Sequence, residues 1–370
     1  MEGMVLYHPT VCPVGNNYQI AVVVYADALI SVRVGKKSYF CHTNGIRKSK
    51  PGVHKITVPM SELDEARGYT LIAEKMIERL DYYSKTGEPV ERRYAFRPIE
   101  KTSDINVYHL ADVHGYFDHA VACAEPYSNG LDLLVLNGDV SSASDTFDAI
   151  TLCYKISSRI AKGEIPTVIS RGNHDLRGAL AEQLTEYMPD SLGKSYYSFR
   201  VGCIWGLLVD TGEDKDDSNS AYGHTVCCHD FRLCVGEMIK STIENPKEEY
   251  EADGVRYRLV ISHVPFTFPK DEKIFDIERE LYSDWANVIK ENIKPNLMLS
   301  GHTHKCCISH PGDELDELGH PCTVVVGSEL IKTEANGRIM RGAYINLREN
   351  NARVVFNSNL GDVCEQIIKI

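Results

Sequence analysis

The chain has 370 residues, 43% of them apolar, and carries 52 Asp and Glu against 40 Lys and Arg, a formal net charge of −12. Its length and apolar content place it among ordinary globular chains with two or so domains and sizeable cores. The acidic balance argues against long nucleic acids as partners, because their affinity rests on Lys and Arg neutralising phosphates.

Met1-Glu2-Gly3-Met4 offers no basic n-region, and the apolar run from Ile20 to Val34 is interrupted by Asp27 and Arg33. No signal peptide or membrane span is therefore expected. The 12 cysteines include the pairs Cys227-Cys228 and Cys306-Cys307 but no C-x-x-C, which argues against a zinc ribbon or redox motif. A cytoplasmic location with reduced thiols is the expectation.

Residues 1–98 read as β-rich. Tyr18 to Val24, Ala28 to Val34 and Val53 to Val58 are short β-branched runs separated by turn signals such as Gly15-Asn16-Asn17 and Gly35-Lys36-Lys37. A brief helix near Met60 to Ala66 and a strand through Tyr94 to Arg97 complete a predicted antiparallel β-sandwich. Proline and charge at Arg97-Pro98-Ile99-Glu100 mark a boundary.

Over residues 99–370 strands alternate with helical segments: Tyr116 to Ala124, Thr146 to Ala161, Leu176 to Tyr187, Phe231 to Ile243 and Ile277 to Asn292. Alternation of this kind argues for βαβ units. Tyr196 to Val201, Ile204 to Val209, Thr323 to Val326, Ala343 to Leu347 and Ala352 to Phe356 are further strand-like runs. The predicted fold class is α/β, a two-sheet α/β sandwich flanked by helices, following the N-terminal antiparallel β-sandwich.

Chemistry concentrates at strand ends. Ile105 to Leu110 runs into Asp112-Val113-His114, Leu131 to Leu136 into Asn137-Gly138-Asp139, and Pro166 to Ile169 into Arg171-Gly172-Asn173-His174-Asp175. Arg258 to Ser262 leads to His263, and Asn296 to Ser300 leads to Gly301-His302-Thr303-His304. In open α/β sheets such ends line the ligand crevice. Imidazoles with carboxylates suit zinc, iron or manganese, and one carboxylate can bridge two such ions. The surplus positive charge of a metal pair favours an anionic substrate such as a phosphate ester.

This ordered set, Asp-x-His, Gly-Asp, Gly-Asn-His-Asp, a lone His and Gly-His-x-His, resembles the calcineurin-like metallophosphoesterase superfamily. The resemblance implies that Asp112, His114 and His304 hold one divalent ion and Asn173, His263 and His302 a second. It further implies that Asp139 bridges them, that a metal-bound water or hydroxide attacks phosphorus, and that His174 is the general acid with Asp175 fixing its tautomer. Residues 1–98 resemble the fibronectin-III-like domain of purple acid phosphatases in pattern and position. The chain departs from that group at His114 and lacks its tyrosine after Asp139; it also lacks the Asp-Arg-Gly of protein Ser/Thr phosphatases. The reading is a dinuclear phosphohydrolase of small phosphoesters, with a phosphodiesterase, a nucleotidase or a metal-binding non-catalytic scaffold as alternatives.

A segment of about 20 residues from Asp210 to Asp230 has no clear element, and loops of that length are often lids or binding loops. It leaves a strand end, so Tyr222, His224 or His229 is expected to shape the substrate pocket. Arg171 is expected either to contact phosphate or to pair with a carboxylate.

Overall fold

The structure, a computed structural model, describes residues 1–269, 277–332 and 337–370. Among the described residues, no helix is long and apolar enough to cross a membrane. All 12 cysteines are free.

The first quarter of the chain forms two facing antiparallel sheets. In one, Asn17–Val24 lies between Thr10–Val14 and Gly52–Pro59; in the other, the order is Val90–Ala95, Gly68–Arg79, Ala28–Val34, Lys37–Phe40. Period-two alternation explains the assembly. Ile20, Val22 and Val24 face Ile30, Val32 and Leu71 in the core between the sheets, whereas Ala21 and Val23 pack with Cys12 and Val53 on the helical layer of the following domain. A strand buried on both faces reads as a continuous apolar run, as Ile20 to Val24 does.

The rest is a two-sheet sandwich. Thr167–Ser170, Leu133–Asn137 and Ile105–Leu110 run parallel, and Ile105–Leu110 then pairs antiparallel with Arg338–Leu347. In the second sheet Ile204–Leu208, Tyr257–Ile261, Leu297–Ser300 and Thr323–Val326 are parallel neighbours. Val107, Leu133, Leu259, Ile261 and Leu297 fill the space between the sheets. Their alternating neighbours turn outward: Tyr108 and Leu134 toward helices Phe117–Ala124 and Leu152–Ile160, Val260 and Met298 toward Cys228–Glu244 and Arg279–Val288.

Two expected helices differ. Thr146 to Ala161 divides at Thr151, where Phe147–Ile150 ends and Leu152–Ile160 begins. Leu176 to Tyr187 breaks into short turns, and only Leu184–Tyr187 is α-helical. Here Leu180 N–H donates to the Ser144 carbonyl at 2.8 Å and Ser144 N–H to the Arg177 carbonyl at 2.6 Å, so the backbone bonds a neighbouring loop instead of its own turn.

The sandwich is tied down along a seam. Lys55 Nζ donates to the carbonyls of Thr185 at 2.6 Å and Met188 at 2.9 Å and pairs with Asp190. Gln19 Nε2 donates to the Asp190 carbonyl at 2.6 Å. Val11 bridges to Pro166 and Gly15 to Phe199, which sets the edge strand Thr10–Val14 beside both catalytic sheets.

Candidate metal centre

Parallel strands bring their carboxyl ends to one edge of the sandwich, and the five sequence turns meet there. The chain must reverse sharply as it leaves each strand, and Asp112, His114, Asp139, His302 and His304 do so with φ between 46° and 67°. Non-glycine residues visit this left-handed region sparingly, Asp and His among the more tolerant, and such conformations cluster at functional sites. Gly138, at φ 79°, admits no side chain, because a Cβ there would lie 2.6 Å from both Gly172 N and His263 Nδ1.

The side chains converge. His114 Nε2 and His304 Nε2 lie 3.2 Å apart, and His304 Nε2 is 3.5 Å from Asp112 Oδ1. His263 Nε2 is 3.2 Å from Asp139 Oδ2 and 3.7 Å from Asp112 Oδ1. Asp139 Oδ2 is also 3.9 Å from His114 Nε2. Asn173 Oδ1 meets His302 Nδ1 at 3.0 Å. The donor atoms of Asp112, His114 and His304 lie within 4.8 Å of one another, as do those of Asp112, Asp139 and His263.

Backbone contacts aim these groups. The His263 Nδ1–H donates to the Asn137 carbonyl at 2.7 Å, which leaves Nε2 facing the carboxylates. Nε2 is buried and makes no well-directed hydrogen bond, although Asp139 is close. Asp112 accepts the His302 N–H at 2.8 Å and the Ser328 hydroxyl. Burial would raise the Asp139 carboxyl, but the His263 ring beside it and the His174 N–H at 2.8 Å hold it well below the usual range. Burial likewise opposes charge on His263, yet Asp139 and Asp112 push it up to about 10. His114 is shifted down by burial. Buried carboxylates of this kind need a positive partner, and imidazole nitrogens set 3.2 to 3.9 Å from them are the donors that an N/O metal site presents. The residues fit divalent metal ions.

Residues 105–306, more than half the chain, match the calcineurin-like phosphoesterase family. The chain belongs to that family. As a calcineurin-like phosphoesterase it is a metal-dependent phosphoric ester hydrolase. Its fold is similar to that of the purple acid phosphatase PPD1 from yellow lupin (Lupinus luteus) seeds, with a TM-score of 0.56 at 11% identity over 98% of this chain and 74% of that one. It is also similar to the structure of PhoD, with a TM-score of 0.52 at 10% identity over 97% of this chain and 88% of the other. No curated protein matches it significantly.

The phosphoesterase turns carry some expected residues to other tasks. Asp175 does not touch the His174 ring: its Oδ2 accepts the Gly172 N–H at 2.7 Å and the Asp139 N–H at 3.1 Å, bracing the turn beneath the ligands. Burial, then the Asp139 charge, raises its carboxyl to about 7. The tautomer of His174 is set by the Ser142 carbonyl, which accepts from Nδ1 at 3.0 Å. Arg171 pairs with Asp210 and lies over the Phe231 ring.

The 210–230 loop does reach the site, through a different residue. Asp214 Oδ2 comes within 3.8 Å of His302 Nε2. Tyr222 is buried and donates its hydroxyl toward Glu213 at 3.0 Å and Asp214 at 3.1 Å. His224 and His229 are both exposed, and His229 Nδ1 bonds Glu278 at 2.7 Å. Arg177, not singled out in the sequence, holds Glu213 at 2.7 and 2.8 Å and places Nη1 3.2 Å from His174 Nε2. Its position three residues after His174 was the one available signal.

Proposed function

We propose that the chain hydrolyses small phosphoesters at a centre of two divalent ions. Asp112, His114 and His304 would hold one, Asn173, His263 and His302 the other, with Asp139 shared. The observation that carries the reading is the convergence of these seven side chains from five strand ends, with His263 Nε2 buried 3.2 Å from Asp139 and 3.7 Å from Asp112. Bound divalent ions neutralise phosphate charge and lower the pKa of water from 15.7 toward about 7.

The chain's own residues do the rest. Ser142 accepts from Nδ1 of His174, so Nε2, which the Arg177 Nη1 approaches at 3.2 Å, is the nitrogen through which this ring would pass a proton to the departing oxygen once the guanidinium yields its place. Arg177 keeps that ring in place from the side, itself fixed by Glu213. Asp175 and Gly172 keep Asn173 and Asp139 in register by way of the turn backbone. The N-terminal sandwich, fibronectin-III-like in this reading, is a structural module that buttresses the 184–190 turn.

The test is hydrolysis of one phosphomonoester and one phosphodiester by metal-free protein reloaded with manganese, iron or zinc. Metal-dependent turnover supports the reading, and the ratio of rates chooses between ester classes. Two bound ions with no turnover of any ester would favour the scaffold alternative.

A further inference from the structure

Beside the metal centre a cavity of about 760 Å³ opens between the broken helix after His174 and the 210–230 loop. Arg177 is common to both, lining the cavity and touching the His174 ring at 3.2 Å. On the other side Lys215, which lines the cavity, bonds Asp214 at 2.7 Å, and Asp214 lies 3.8 Å from His302. A group leaving phosphorus past His174 would meet this space alongside the Arg177 side chain, and its size suits a small organic ligand.

Charge decides what fits. Each basic residue of the lining is already matched by a carboxylate: Arg171 by Asp210, Arg177 by Glu213, Lys215 by Asp214. Glu182 adds a further negative charge to the wall. A second phosphate or carboxylate on the leaving group would meet no uncommitted cation and would lose its hydration for nothing in return. Leu176, Val226 and Phe231 supply apolar surface instead.

We propose that this cavity is the leaving-group pocket and that it selects phosphoesters of bulky, apolar-faced alcohols bearing no second anion. The proposal rests on the phosphoesterase reading above and names its substrate class. In the reaction the P–O bond to the alcohol breaks, water supplies the new oxygen on phosphorus, and the alcohol leaves with a proton into the pocket.

The experiment compares 2-phenylethyl phosphate, ethyl phosphate and propane-1,3-bisphosphate on the metal-loaded protein; the two alkyl alcohols have similar basicity, so the comparison reads binding of the side group. A phenylethyl-to-ethyl ratio in kcat/KM of roughly tenfold or more is expected from burying a phenyl ring, with the bisphosphate poorer than the phenylethyl ester. Val226→Trp and Ala181→Trp, which fill the space, should each bring the ratio down toward one. Glu182→Lys should improve the bisphosphate relative to the phenylethyl ester. Calorimetry with 2-phenylethylphosphonate and ethylphosphonate repeats the comparison without turnover. Equal affinities for the two phosphonates, or a ratio unmoved by both tryptophans, overturn the pocket while leaving the hydrolase intact. Absence of hydrolysis with a phosphonate preference retained would instead sink the catalytic reading and keep the pocket.

Discussion

His263 donates its Nδ1 proton to the backbone carbonyl of Asn137 at 2.7 Å, across the gap between the two catalytic sheets. The Asn137 side chain closes the same gap, its Nδ2 donating to the Leu299 carbonyl at 3.0 Å and its Oδ1 accepting from Ser170 Oγ at 2.7 Å. One residue thus aims the His263 imidazole at the carboxylates and ties together the strands that carry the other candidate ligands. Asn137→Ala should cost about 2–4 kcal/mol, because buried partners are left unsatisfied, and should weaken metal affinity roughly 10- to 100-fold through loss of outer support. Urea unfolding and metal titration check both; an unchanged midpoint would contradict the role.

His174 and Asp175 should separate. His174→Asn is expected to retain its metals and lose roughly 10²- to 10⁴-fold in turnover, the usual worth of a positioned acid. Asp175→Ala frees the N–H groups of Gly172 and Asp139 and should lose metal along with activity. Metal analysis of the two variants decides: equal metal content in both would show that Asp175 does not brace the turn.

Lys55 joins the sandwich to the catalytic domain with a side chain 16% exposed, opposite Asp190 at 17%. Lys55→Met leaves Asp190 Oδ2 and two carbonyls without their donor, while Oδ1 keeps the Gly193 N–H. A loss of about 3 kcal/mol is expected, in line with other broken, largely buried pairs, with the metal affinity preserved. Thermal unfolding gives the loss, and equilibrium dialysis shows whether the centre is spared.

His54 gives the sandwich a pH dependence. It is fully buried, its Nε2–H donates to the Lys50 carbonyl at 2.8 Å, and burial, first among the causes, depresses its pKa to about 4. The unfolded chain takes up the proton near 6.5, before the folded one does. Stability is therefore full above about 6.5 and falls as pH drops toward 4, by up to ~1.4 kcal/mol per pH unit from this residue. Urea midpoints at pH 7.5, 6 and 5 should fall less steeply for His54→Gln than for the parent. Parallel slopes would remove His54 from this role.

Much of this was legible in the chain. Strands such as Ile105–Leu110, Ala28–Val34 and Thr323–Val326 read as apolar, β-branched runs and are buried, and the turn after Ile105–Leu110 carries the metal-type side chains Asp112 and His114. Gly68–Arg79 was not legible: only Tyr69, Leu71 and Ala73 face inward, and its second half, Glu74 to Arg79, is charged and largely solvated. The helix expected after Asp175 failed because propensity is local, while the Ser144 backbone that captures Arg177 and Leu180 is brought there by tertiary contact. The same limit hid Asp214 and Arg177. Nothing in the neighbours of Asp214 along the chain announces that it reaches His302, and for Arg177 the spacing of three residues from His174 is the one hint.

The central claim is that seven residues from five strand ends hold two divalent ions. The direct measurement is elemental analysis of protein stripped of metal and reloaded with manganese, iron or zinc, alongside Asp139→Asn. Two ions per chain in the parent, and fewer in the variant that loses the shared carboxylate, is the predicted result. Failure of the parent to retain any metal would contradict the assignment of all seven.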